Sequence, residues 1–97
     1  MCIRDRAKER SKVISQYIVS EMLMNTKQAT FLEQALYEKY ARNNELTASK
    51  DLTKEEVQII YGETYSIASK ELLSKFTKKQ FDKIAEIEKE KIKELRQ

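Results

Sequence analysis

Apolar residues recur along this chain with the three- to four-residue spacing of amphipathic helices. The pattern predicts four helices, over about residues 7–24, 27–42, 54–75 and 78–95. We therefore expect an all-α fold, a small bundle of about four helices. Helices three and four are predicted to form an antiparallel hairpin, because only the short junction at Phe76-Thr77 joins them.

Two of the predicted helix starts carry a specific capping signal. Residues 52–57 place Thr53 and Glu56 as a capping box between two apolar residues in hydrophobic-staple positions. Residues 76–81 repeat both signals, with Gln in place of Glu. These patterns predict where the last two helices begin and indicate nothing about function.

The other boundaries are less sharply marked. A break is predicted at Asn25-Thr26, with Thr26 capping the second helix, and a loop over residues 43–50. Ser11 could cap the first helix, or that helix could begin earlier. Gly62 lies inside the third helix, which indicates either a close approach of another helix or a kink.

Composition supports the helical prediction and limits the chemistry. The 97 residues include one Gly and no Pro, which disfavours hairpins and strands, and they allow one domain. There is no His, and the single Cys lies at the N-terminus. The usual zinc sites, His-dependent nucleophiles and Gly-rich phosphate loops are therefore excluded. We predict that the chain is not an enzyme and binds no cofactor, metal or small-molecule substrate.

Location and membrane association follow from the same features. One Cys cannot form an intramolecular disulfide, no apolar run approaches about 18 residues, and the N-terminus lacks the apolar region of a signal peptide. A cytoplasmic protein without a membrane partner is expected. The net charge of +3, from 19 basic and 16 acidic residues, is mild.

Residues 1–6, Met-Cys-Ile-Arg-Asp-Arg, resemble translated sequencing-adaptor read-through at the edges of metagenomic contigs. The resemblance implies that residues 1–6 are a non-native leader, that Cys2 has no function and that natural sequence preceding Ala7 is missing. Residues 7–97 would then be one helical domain, with a charged C-terminal helix that projects, frays or packs on a partner.

The segment Arg10–Glu21 is similar to the second helix of ribbon-helix-helix DNA-binding proteins, which begins with Arg-Ser and continues with a Val-Ile pair. In that family the helix N-terminus holds a DNA phosphate. The resemblance implies a phosphate clamp formed by Arg10, Ser11 and Lys12. The strand with which the family reads bases is not found here, so the resemblance implies a protein truncated before that strand. An ordinary amphipathic helix is the alternative.

Two further sets of residues are candidates for binding. Lys75, Lys78, Lys79 and Lys83 surround the junction of helices three and four, and could contact phosphates or form a solvated basic face. Tyr37 and Tyr65 lie off the apolar stripes and are candidate interface residues.

The sequence leaves two functional hypotheses open. The first is a small, non-enzymatic helical interaction protein, a kind of protein that phages and plasmids encode, with a protein partner or a second copy of itself. Dimerisation through the first or the last helix fits the narrow apolar stripes. The second is a DNA-binding regulator or plasmid-segregation protein of ribbon-helix-helix type.

Overall fold

The computed structural model describes residues 3–48 and 51–95, and their side chains from Arg6 onward. Four α-helices make up this part of the chain: α1 Ile3–Met22, α2 Thr26–Leu46, α3 Lys54–Lys75 and α4 Lys78–Leu95. No strand occurs in it, which confirms the predicted all-α bundle. Cys2 lies outside the described residues. None of the four helices is long and apolar enough to cross a bilayer.

Both predicted capping boxes are present. At the start of α3, the backbone N–H of Glu56 donates to Thr53 Oγ1 (3.1 Å), and the Thr53 N–H donates to Glu56 Oε1 (3.2 Å). At the start of α4, Thr77 and Gln80 exchange the same two hydrogen bonds, at 3.2 and 2.9 Å. These contacts satisfy backbone donors that the helix itself leaves free. The sequence prediction of these two starts is therefore confirmed.

The boundaries of α2 differ from the prediction. Asn25, not Thr26, is the N-cap, because its side chain accepts a hydrogen bond from the Gln28 N–H (2.8 Å) while Gln28 reaches back to the Asn25 N–H (3.2 Å). At its other end α2 continues through Asn43-Asn44 to Leu46. The predicted loop therefore begins one turn later.

The first helix ends at Met22, two residues before the predicted end. Leu23 has a φ of 53°, in the left-handed region, and the Met24 N–H donates to the Val19 carbonyl (3.1 Å). This is the hydrogen-bond pattern of a Schellman motif, which stops an α-helix and turns the chain. At its N-terminal end α1 begins at Ile3, earlier than predicted.

Side-chain contacts show that α3 runs antiparallel to both α2 and α4. Phe31, near the start of α2, packs on Phe76 at the end of α3, with ring centroids 6.2 Å apart. Tyr65 of α3 contacts Phe81 of α4 at 6.5 Å, which agrees with the predicted hairpin. The Lys91 ammonium of α4 lies 4.7 Å from the Tyr17 ring centre of α1 and closes the ring of four helices.

The core is formed mainly by α1, α2 and α4. Their buried apolar side chains are Ala7, Ile14, Ile18, Leu32, Ala35, Leu36, Tyr40, Ala41, Phe81, Ile84 and Ile87. On α3 itself the buried residues are Thr64, Ala68 and Leu72. Tyr61 and Ile67, two larger apolar residues of α3, are exposed. Helix α3 is thus attached through a narrow face.

Gly62 lies in the middle of α3 and marks no close helix contact. A Cβ atom placed on Gly62 would have no neighbour within 4 Å, and α3 runs continuously through the position. The predicted close approach of another helix is therefore wrong. Glycine at this position therefore serves no packing role, and its loss of backbone entropy on folding lowers stability relative to alanine.

We expect Gly62→Ala to raise the free energy of unfolding by about 1 kcal/mol, because alanine loses less backbone entropy on folding and meets no steric obstacle. Urea denaturation of both chains measures the difference. Ser66→Gly, one turn further along the exposed side of α3, is the matched control and should lower stability by about 0.5 kcal/mol. A destabilised Gly62→Ala chain would contradict the open space around Gly62.

Candidate interaction groove between the third and fourth helices

Among neighbouring helices, α3 and α4 have the least extensive backbone contact, and a groove lies between them. One part has a volume of about 670 Å³ and continues into a hollow of about 430 Å³. Both parts share Lys39, Tyr65 and Ile92, so we treat them as one feature, the α3–α4 groove. Its other lining residues are Arg10, Tyr40, Asn43, Asn44, Gln58, Tyr61, Gly62, Ala85, Glu88, Lys89 and Lys93.

The walls of the α3–α4 groove are largely apolar. Tyr61 and Tyr65 lie one helical turn apart on α3, and they are 43% and 53% exposed. Ala85 and Ile92 face them from α4, and Ile92 also packs against the core. Exposed tyrosine rings beside an aliphatic wall combine apolar area with a polar hydroxyl, which is characteristic of interaction surfaces.

The floor of the groove is a polar contact between α2 and α4. Glu88 is only 8% exposed, and its Oε2 atom accepts hydrogen bonds from the Tyr40 hydroxyl (2.5 Å) and from Lys39 Nζ (2.5 Å). Burial, together with the neighbouring Glu88 carboxylate, raises the pKa of Tyr40, which stays protonated as the donor. A buried carboxylate requires such partners, because desolvation is costly for an unpaired charge.

Positive charge predominates around the groove. Its lining contains four basic side chains and one acidic side chain, and the acidic one, Glu88, is paired with Lys39. Arg10, Lys89 and Lys93 remain, and none of them forms an ion pair with a side chain that the structure describes. The groove is thus an apolar cleft with a basic edge.

Ser11, a residue of the predicted phosphate clamp, is an interior residue of α1. It lies in the third turn of α1, it is 1% exposed, and its hydroxyl donates to the Lys8 carbonyl (2.9 Å). Its backbone N–H belongs to the helix interior, so it is not one of the free donors of a helix N-terminus. Arg10 and Lys12 are exposed on either side of it.

The lysines of the α3–α4 junction are exposed and lie apart from Arg10. Lys78 forms an ion pair with Asp82 (2.8 Å), which raises the pKa of Lys78. The other three, Lys75, Lys79 and Lys83, form no ion pair with the described residues. The junction packs on Phe31 near the start of α2, whereas Arg10 shares a hollow with Asn44 near the end of α2. Arg10 and the junction thus lie near opposite ends of α2, whereas Lys12 lines a hollow with Asn25 and Thr26 at the start of that helix.

The two tyrosines predicted as interface residues are not brought together. Tyr65 lies in the α3–α4 groove. Tyr37 is half-buried against the core and lines a separate hollow between α2 and α3, with Thr64 and Ala68.

Sequence reasoning missed Glu88, Lys39 and Ala85 as groove residues. One signal was present for Glu88, which follows Phe81 and Ile84 at helical spacing and so places a carboxylate on the apolar face of α4. No pattern in the sequence linked it to Tyr40, because that contact joins residues 48 positions apart.

No family model matches the chain, and no curated protein or solved structure is significantly similar to it. In the described part of the chain, no group of three or more His, Cys, Asp or Glu residues is arranged to hold a metal ion.

We expect Glu88→Leu to lower the free energy of unfolding by about 3 kcal/mol, because it leaves the half-buried Lys39 ammonium and the Tyr40 hydroxyl without their acceptor. Replacing all three groups, with Lys39→Met, Tyr40→Phe and Glu88→Leu, should recover most of this loss. Urea denaturation of the three chains tests the prediction. If the triple variant were no more stable than Glu88→Leu alone, the loss of stability in Glu88→Leu would not come from leaving Lys39 and Tyr40 without an acceptor.

Proposed function

We propose that this chain is a small, non-enzymatic protein-interaction module that binds an apolar segment of a partner protein in the α3–α4 groove. The observation that carries the proposal is the exposure of Tyr61 and Tyr65 opposite Ile92. Aromatic side chains in a concave, partly apolar site are typical anchors of protein–protein interfaces. A cytoplasmic location is part of the proposal, because a single cysteine allows no stabilising disulfide within the chain.

The way the groove is built also supports binding without large rearrangement. Its floor is held by the hydrogen bonds of Glu88 to α2, and its α4 wall is anchored by the buried Ile84 and Ile87. A site whose walls are already in place loses less conformational entropy on binding than a flexible one.

Selection of peptides from a random display library on the whole chain tests this function. We expect the enriched peptides to bind the native chain and to lose at least about tenfold in affinity to Ala85→Arg, because a long cationic side chain there fills the groove. Leu23→Arg is the matched control, since Leu23 is 89% exposed and lies outside the groove. Peptides that bind native and Ala85→Arg chains equally would contradict the proposal.

A second candidate function is binding to a nucleic-acid backbone through the lysines of the α3–α4 junction. Lys75, Lys79 and Lys83 favour it, because they are exposed and have no ion-pair partner among the described residues. Regulators and plasmid-segregation proteins of the ribbon-helix-helix type would use such contacts together with bases read by their strand. For this chain the proposal is limited to contacts with phosphate.

If the junction lysines bind phosphate, affinity for duplex DNA should fall steeply as salt is raised, because each neutralised phosphate releases a counterion. Changing Lys75, Lys79 and Lys83 together to Gln should lower the affinity and the salt slope. The same change at Lys8, Lys27 and Lys54, exposed lysines that belong to neither predicted phosphate-binding set, is the control. Absence of binding at low salt would rule out this second function.

A further inference from the structure

We infer that the partner segment in the α3–α4 groove is an amphipathic helix whose polar flank is acidic. The inference rests on the proposed interaction function and specifies the partner's chemistry. Two features of the groove support it: the dimensions of its apolar walls and the sign of the charge along its edge.

The apolar positions of both walls repeat with helical spacing. Tyr61 and Tyr65 are separated by four residues on α3, and Ala85 and Ile92 by seven on α4. At a rise of about 1.5 Å per residue, the α4 wall extends over about 11 Å, or two helical turns. A helix with apolar residues at i, i+3 or i+4, and i+7 presents a stripe of this length, as in other helix-in-groove complexes.

The charge of the groove indicates which charge the polar flank of the bound helix carries. Lys89 and Lys93 lie one turn apart at the outer edge of α4, both exposed, and Arg10 lies at the far end of the groove. The single acidic group of the lining, Glu88, is buried and already paired. The α3 edge carries Gln58 and Gly62, which are neutral. Acidic residues beside the apolar stripe would therefore meet cations that have no ion-pair partner among the described residues, and no exposed carboxylate of the lining.

Other occupants fit these observations less well. Duplex DNA would satisfy the lysines but leave the apolar walls of the groove uncovered, because its backbone offers charge and little apolar area. A second copy of this chain would have to present an acidic, apolar helix. The outer side of α4 alternates Glu and Lys from residue 86 onward, which gives no excess of negative charge. Helix α3 exposes Ile59 and Ile67 beside Glu63, but it already forms one wall of the groove.

Fluorescence anisotropy with three labelled peptides tests the inference. The peptides share one apolar stripe over about 14 residues and carry Glu, Gln or Lys at the flanking positions. We expect the Glu peptide to bind about three- to tenfold more tightly than the Gln peptide, and the Lys peptide to bind most weakly. The preference should shrink as salt is raised, because the edge cations are exposed.

A charge-reversed chain with Lys89→Glu and Lys93→Glu provides the decisive comparison, and it should prefer the Lys peptide. The control is Lys79→Glu with Lys83→Glu, which makes the same charge change at the same spacing on α4, outside the groove lining. Circular dichroism shows whether each variant keeps its helices. Retained preference for the Glu peptide in the Lys89/Lys93 variant would overturn the inference.

The remaining outcomes distinguish failure of the acidic-helix inference from failure of the proposed interaction function. Equal binding of all three peptides, abolished by Ala85→Arg, would overturn the acidic partner and leave the interaction groove intact. Failure of every peptide to bind, with no display-selected peptide sensitive to Ala85→Arg, would overturn both. Displacement of the Glu peptide by duplex DNA would overturn the inference in favour of DNA as the occupant. A dimer in sedimentation that Ala85→Arg disrupts would overturn it in favour of a second copy of the chain.

Discussion

Burial of the Glu88 carboxylate constrains the arrangement of the whole bundle. Its oxygen accepts hydrogen bonds from Tyr40 and Lys39, two consecutive residues of α2, so α4 must keep one register along α2. That register places Ile84 and Ile87 among the apolar side chains of α1 and α2. A slip of one turn would bury a carboxylate without partners, which is far more costly than a mismatch between apolar surfaces.

The same constraint explains why a groove lies beside α3. Helix α4 is tied to α2 by polar contacts and to α1 by packing, whereas α3 is held mainly through Thr64, Ala68 and Leu72. These three are the buried residues of α3, so little of the α3 surface is covered. The larger apolar residues of α3, including Tyr61 and Tyr65, remain exposed and line the space between α3 and α4.

Charge is distributed unevenly although the chain as a whole is only mildly basic. One set of cations lies along the α3–α4 groove, and another surrounds the junction at Thr77, near the opposite end of the bundle from Arg10. The first set lies next to apolar walls and favours an acidic peptide. The second set is exposed, with Lys78 paired to Asp82, and favours a phosphate backbone. The two candidate functions therefore use separate surfaces and can be tested independently.

The sequence by itself determined the helical class and the starts of α3 and α4, because periodicity and capping depend on residues a few positions apart. It missed the N-cap at Asn25 and the extension of α2 to Leu46, where several polar residues were equally suited to a cap or a turn. Only the tertiary structure decided that Ser11 is buried, that Gly62 faces open space, and that Glu88 meets Tyr40 beneath the groove. Those outcomes depend on which helix faces lie opposite each other, and local spacing does not specify that.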